Sequence, residues 1–220
     1  MAARRKILAV CALGIIAAAC SGGGKSSTST PTTSPTASGS ASTTAASTTT
    51  LRAANDLSKL ILSTVPSGFT QQADDVADTG PTNAEKAALD DVSDKGPGLL
   101  RDAGFQHGYQ RTWIGADGSD TNTILLYQFA TPAGAQQWVN HWLEELRQPV
   151  KGVTISDFDV PLGSMHGFGV RGDYTDSSSG IAVFAQGPYA VQAAVHTASS
   201  NDPTPAAILL ATAQNDRLPA

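Results

Sequence analysis

Hydrophobic residues along this chain recur with two periods, and the change of period marks its elements. The clearest stretch follows Thr131-Pro132, where Ala135, Trp138, Val139, Trp142, Leu143 and Leu146 return at helical spacing. Positions three and four apart share one face of a helix, so that side has to be buried. Thr131 offers the side-chain acceptor of an N-cap, Pro132 suits the first helical position, and Pro149 closes the element. Gln137, His141, Glu144 and Gln148 fall on the opposite side, which predicts that they are solvated.

Ahead of this helix, residues 109–114 and 122–129 read as two strands around the turn Gly115-Ala116-Asp117-Gly118-Ser119-Asp120. Ile124 to Phe129 is apolar on both faces, as a central strand covered on both sides requires. The last third predicts an edge strand at 153–158, then strands at 168–171, 180–185 and 189–196, with Gly187-Pro188 turning between the last two. In the final strand Tyr189, Val191, Ala193 and Val195 alternate with Ala190, Gln192, Ala194 and His196. Asn201-Asp202-Pro203 then opens a closing helix over 204–217, with Ile208, Ala211 and Leu218 along one side. Near the front, Leu57, Leu60, Ile61 and Leu62 make a short helix or turn. Thr82-Asn83-Ala84-Glu85 is a capping pattern for a helix to about Asp91, and a shorter helix over 99–103 stops at Gly104.

Residues 109–146 and 180–217 both read as a hairpin followed by a helix, with too few matching residues to make them repeats. Antiparallel strands interleaved with helices predict an α+β fold: a single twisted antiparallel sheet with helices packed mainly on one face.

The N-terminal part follows different rules. Arg4, Arg5 and Lys6 precede an uncharged apolar run from Ile7 to Ala19, shorter than the roughly 20 residues of a membrane span. Residues 1–19 therefore read as a bacterial export signal peptide; Arg4 to Leu8 resembles part of a twin-arginine signal, but the flanking residues do not match, which favours ordinary Sec export over the twin-arginine alternative. Ala17-Ala18-Ala19 fits general signal peptidase. Followed by Cys20, it also resembles the lipobox of bacterial lipoproteins, in which cleavage falls between Ala19 and Cys20 and the cysteine takes a diacylglycerol. A lipobox commonly has Leu where this chain has Ala17, so plain secretion stays the alternative. Cys11, the other cysteine, lies in the part to be removed, so the mature chain carries one thiol and no internal disulfide.

Residues 20–50 then comprise the lipidated cysteine, with its palmitate-type chains, and a Ser/Thr/Pro-rich tether whose only charge is Lys25. Lacking large apolar residues, the tether cannot offset the entropy of ordering, and it has the composition of an O-glycosylated linker. Residues 51–220 form the single α+β domain. The net charge of −5 becomes more negative once the basic signal is removed. That argues against nucleic acid as a partner and leaves membrane contact to the lipid anchor.

The Ala-rich exit, the Ser/Thr/Pro tether, Leu60-Ile61-Leu62 leading to Pro66-Ser67-Gly68-Phe69, and the ending Ala211 to Leu218 together resemble uncharacterised cell-envelope lipoproteins of actinobacteria. The resemblance implies an extracytoplasmic sensing or ligand-binding module on the outer face of the cell membrane. It brings no catalytic motif, so it assigns no catalytic residue.

The candidate chemistry is sparse. Gly163-Ser164-Met165-His166-Gly167 lacks the first glycine of a nucleophile elbow, since Leu162 stands there. His141 with Glu144 and Glu145 has one-turn spacing but no third ligand, so no metal and no cofactor is expected. Asp117 to Asp120 is explained by a hairpin turn. Asp74-Asp75 and Asp90-Asp91 are adjacent pairs that point apart, and Arg171-Gly172-Asp173 sits where a strand gives way to a loop. The aromatics Tyr109, Trp113, Tyr127, Trp138 and Trp142 either form the core where helix meets sheet or line a ligand pocket, with Arg111 as its polar group. The function these features predict is a non-catalytic, membrane-anchored module that binds or senses a small apolar or glycan-like ligand. An envelope protein–protein scaffold is the alternative, and a hydrolase comes last.

Overall fold

The computed structural model describes residues 56–76, 78–91, 93–198 and 201–219; the signal segment, Ala19, Cys20 and the tether lie outside them. Strands β1 (Phe69–Gln71), β2 (Gly80–Thr82), β3 (Phe105–Gly115), β4 (Thr121–Phe129), β5 (Thr154–Leu162), β6 (Met165–Asp173), β7 (Ser178–Gln186) and β8 (Tyr189–Thr197) form one sheet. Its order is β1-β3-β4-β8-β7-β6-β5, with β2 also paired to β3, and every pairing is antiparallel. The helices are α1 (helical over residues 56–60), α2 (Ala84–Asp90), α3 (Gly96–Asp102), α4 (Pro132–Leu146) and α5 (Thr204–Asn215). The fold is α+β on a single antiparallel sheet, as the alternating periods predict.

Local sequence explains the elements. Thr131 Oγ1 accepts from the backbone N–H of Gly134 at 3.1 Å, and Pro132 opens α4. Asn83 Oδ1 accepts from the N–H of Lys86 at 2.9 Å, so Asn83 itself is the cap of α2. The chain runs through the hairpin β3–β4, crosses by α4 to β5 at the far edge, and returns as a meander that lays β8 against β4. β4 is thus central and covered on both faces, which accounts for its double apolar pattern.

Alternation along the strands feeds two cores, one on each face. On the first, Tyr109, Trp113, Ile124, Leu126, Val191 and Val195 pack with Leu57 and Ile61 of the α1 segment and with Ala207, Leu210 and Ala211 of α5. On the second, Leu125, Tyr127, Phe129, Ile181 and Val183 pack with Ala87 of α2, Leu100 of α3, and Trp138, Val139, Trp142 and Leu143 of α4. The expectation of helices mainly on one face is refined to three helices on one face and two on the other. Both hairpin–helix sections form, but α4 and α5 take opposite faces.

Three details differ from the sequence reading. β1 and β2 pair with β3 although three-residue segments, one containing Pro81, carry no readable alternation. β6 is longer than predicted, because its glycines mute the strand signal. Gly169 is required there: a Cβ would lie 2.1 Å from the ring of Phe158 on β5. His141 is buried, at 6% exposure, and not solvated. α3 packs beside α4, and Asp91 and Ser93, which follow α2, close over the side from which the helical wheel alone predicts water.

Candidate functional site

The six pocket candidates lie in two groups. Tyr109, Arg111 and Trp113 alternate along β3 onto the α1/α5 face. Tyr127 on β4, with Trp138 and Trp142 on α4, belongs to the other face. The sheet separates the groups, so the six do not converge on one cavity.

Each group is closely packed. Tyr127 lies 5.4 Å from Trp142 and 6.4 Å from Trp138 between ring centroids, and Phe129 and Phe105 continue the cluster. The Tyr127 hydroxyl donates to Asp90 Oδ2 at 3.0 Å, and burial pushes both the phenol and the Asp90 carboxyl above their ordinary values. On the other face the Tyr109 hydroxyl donates to Asp74 Oδ2 at 2.6 Å, and the Arg111 guanidinium lies 5.4 Å from the Tyr109 ring centroid.

Arg111 also has a backbone task. Its Nη1 donates to Leu62 O at 2.8 Å and reaches Ile61 O at 3.5 Å. Gln214 and Arg217, from the end of α5, take the neighbouring carbonyls. Gln214 Nε2 donates to Leu60 O at 3.1 Å, while Arg217 donates to Leu60 O at 3.2 Å and to Lys59 O at 2.7 Å. Gln214 Oε1 accepts from the N–H of Leu62 at 2.7 Å. The carbonyls that a helix end leaves unpaired are thereby satisfied by the sheet and by α5.

A second polar group, missed at the sequence level, joins the connection after α2 to α4. His141 Nε2 lies 3.0 Å from Asp91 Oδ1, Ser93 Oγ donates to Asp91 Oδ2 at 2.7 Å, and Ser93 Oγ lies 3.4 Å from His141 Nε2. The hydrogen bond to Asp91 raises the His141 imidazole above its usual value. For Asp91 burial is the largest influence and acts upward, but the bonds from His141 and Ser93 outweigh it and hold the carboxyl low. The residue types are those of a hydrolase triad; the wiring is not. A triad places nucleophile and acid on opposite ring nitrogens, whereas here both face Nε2 and the serine hydroxyl is spent on the carboxylate. The adjacent acids Asp90 and Asp91 serve different partners, Tyr127 and His141. The aspartate that could have announced the cluster stands fifty residues from the histidine in sequence.

A further serine–histidine contact, Ser179 Oγ to His196 Nδ1 at 2.9 Å, crosses from β7 to β8, and burial lowers the His196 imidazole. Ser164 and His166 are exposed. Arg171 is bound to Asp173 and Asp202, which ties its side chain and that of Asp173 into ion pairs. Among the described residues no group of three or more metal-ligating side chains comes together, and no helix is long and apolar enough to cross a membrane.

Two open clefts flank α4. One, of about 480 Å³, runs between α3 and α4 and is bordered by Lys95, Leu99, Gln136, Asn140, His141 and Glu144. The other, of about 520 Å³, lies past the end of α4 between Arg147, Pro149, Val150, Val153, Ile155 and Asp157.

No protein-family model matches the chain, and no curated protein matches it. Among solved structures it is similar to the extracellular domain of PknH from Mycobacterium tuberculosis, with 11% sequence identity and a TM-score of 0.45 over 75% of this chain and 97% of that one.

Proposed function

We propose that the protein is a lipid-anchored domain on the extracytoplasmic face of the cell membrane that binds or senses a small ligand and catalyses no reaction. Cys20 carries the anchor, and the Ser/Thr/Pro-rich segment spaces the domain from the bilayer.

The observation that carries this reading is the attachment of α1. The first described element after the tether segment is bonded through its last carbonyls to Arg111, Gln214 and Arg217, so load arriving along the chain passes into the sheet and α5. An element at the joint of a tethered domain needs such a fastening. The non-catalytic part rests on the Asp91–Ser93–His141 group, whose hydrogen bonds connect elements to one another and whose serine hydroxyl is spent on a carboxylate. The ligand part rests on the two clefts beside α4.

The test is native mass spectrometry of the mature protein extracted gently from its own membranes. The reading expects a small molecule released on denaturation, while protein that carries none after mild extraction contradicts ligand binding.

A further inference from the structure

The second α4 cleft continues into the protein. Helix α4 lies over β7, β8 and β4, reaches β6, and ends at Leu146, and residues 147–153 continue the cover toward β5. Beneath that segment is a small, partly open cavity of about 20 Å³, walled by Leu146, Ile155, Val170, Tyr174 and Ile181, with Gly172 and Ser179 also on the strands. Val150, Val153 and Ile155 line both spaces and form the partition between them. The strand register confirms one surface: Ile155 opposes Gly172, Gly172 opposes Ser179, and Val170 opposes Ile181.

The cover is lightly held. Its backbone N–H groups at Arg147, Gln148 and Val153 bond to Leu143, Glu145 and Val150, all local partners. Its link to the sheet is the fork of Arg147 on Asp157, with Nε to Oδ1 at 3.1 Å and Nη2 to Oδ2 at 2.9 Å. Both side chains are about half exposed, and exposed pairs of this kind contribute little. The cover brings two cations, Arg147 and Lys151, in a chain of net negative charge.

We propose that this cleft binds a single acyl chain with an anionic head group. The chain lies on Pro149, Val150, Val153 and Ile155 and displaces the partition to enter the cavity over Gly172. Arg147 exchanges Asp157 for the head group, since its planar fork already holds a carboxylate in that geometry. The assignment rests on the ligand-binding reading above and gives it a place and a ligand class.

The test uses the full chain carrying Cys20→Ser, purified without detergent, titrated with cis-parinaric acid and with its methyl ester. The acid is expected to bind with a rise in probe fluorescence. Arg147→Gln should weaken the acid by at least about tenfold and leave the ester unchanged. Gly172→Ala should weaken both while folding normally, because a Cβ at Gly172 takes up cavity space yet meets only ordinary contacts of 3.5 to 3.7 Å with Val153 and Tyr174. No fluorescence rise, or equal affinity in both variants, overturns the assignment. A protein that carries a native ligand yet ignores both probes loses this site and keeps the broader reading.

Discussion

Gln214 is fully buried, and both ends of its amide are used, one on Leu60 O and the other on the N–H of Leu62. Gln214→Leu keeps the volume but leaves a buried N–H unpaired, so it is expected to cost about 2 kcal/mol, read as a lower midpoint in urea. His141 and Asp91 make a pH-dependent contribution. The raised imidazole adds stability below its unfolded value of about 6.5, lost as pH rises through its higher folded value. The lowered carboxyl adds stability above its unfolded value of about 3.9, lost as pH falls through its lower folded value. The pair is therefore strongest between about pH 4 and 6.5. His107 and His196, both lowered by burial, work the other way below about pH 6.5 and have to be subtracted. The stability difference between wild type and His141→Gln should peak near pH 5 to 6 and shrink toward pH 9, roughly the span set by the unfolded values. A flat difference contradicts the pairing. None of this is visible in the sequence near His141. Helical spacing shows which side faces the sheet, but not that α3 and the residues ahead of it, Asp91 and Ser93, cover a second side.

The extent and sheet-facing side of helix α4 were legible, since cap, first proline, apolar stripe and closing proline all agree. Thr131→Ala is expected to cost about 1 kcal/mol in urea denaturation, because it strips the cap from the Gly134 N–H. At Gly134 the tertiary structure overrides propensity: a Cβ would stand 2.0 Å from Ala103 O, so Gly134→Ala should destabilise where helix propensity alone favours it. The strands from β3 onward were legible, β6 only in part, because their apolar residues alternate toward a core or, as in β4, fill both covered faces. β1 and β2 were not, since segments this short take their pairing from β3 and supply no period of their own. The candidate pocket was half legible. Its residues are core residues of the right elements, but strand parity sends Tyr109, Arg111 and Trp113 one way and Tyr127 the other. The two faces could be assigned only once β3 and β4 were known to pair Tyr109 with Leu126, which sets Tyr127 against Gly108.

At the scale of the whole molecule, the proposed function has Cys20 join a two-faced domain to a membrane. The fastening of α1 predicts that loss of Arg217, which holds Lys59 O and Leu60 O, loosens the joint before the sheet. In Arg217→Ala, amide hydrogen exchange should rise in residues 57–62 and stay unchanged in β4 and β8. Uniform acceleration would show instead that α1 opens only with the whole domain. The most direct measurement of the central claim is mass spectrometry of the N-terminal peptide of the mature protein, paired with membrane fractionation of Cys20→Ser. The account predicts a peptide that begins at Cys20 and bears diacylglycerol, and a variant that leaves the membrane fraction. An unmodified Cys20, or a variant that fractionates like the wild type, contradicts it.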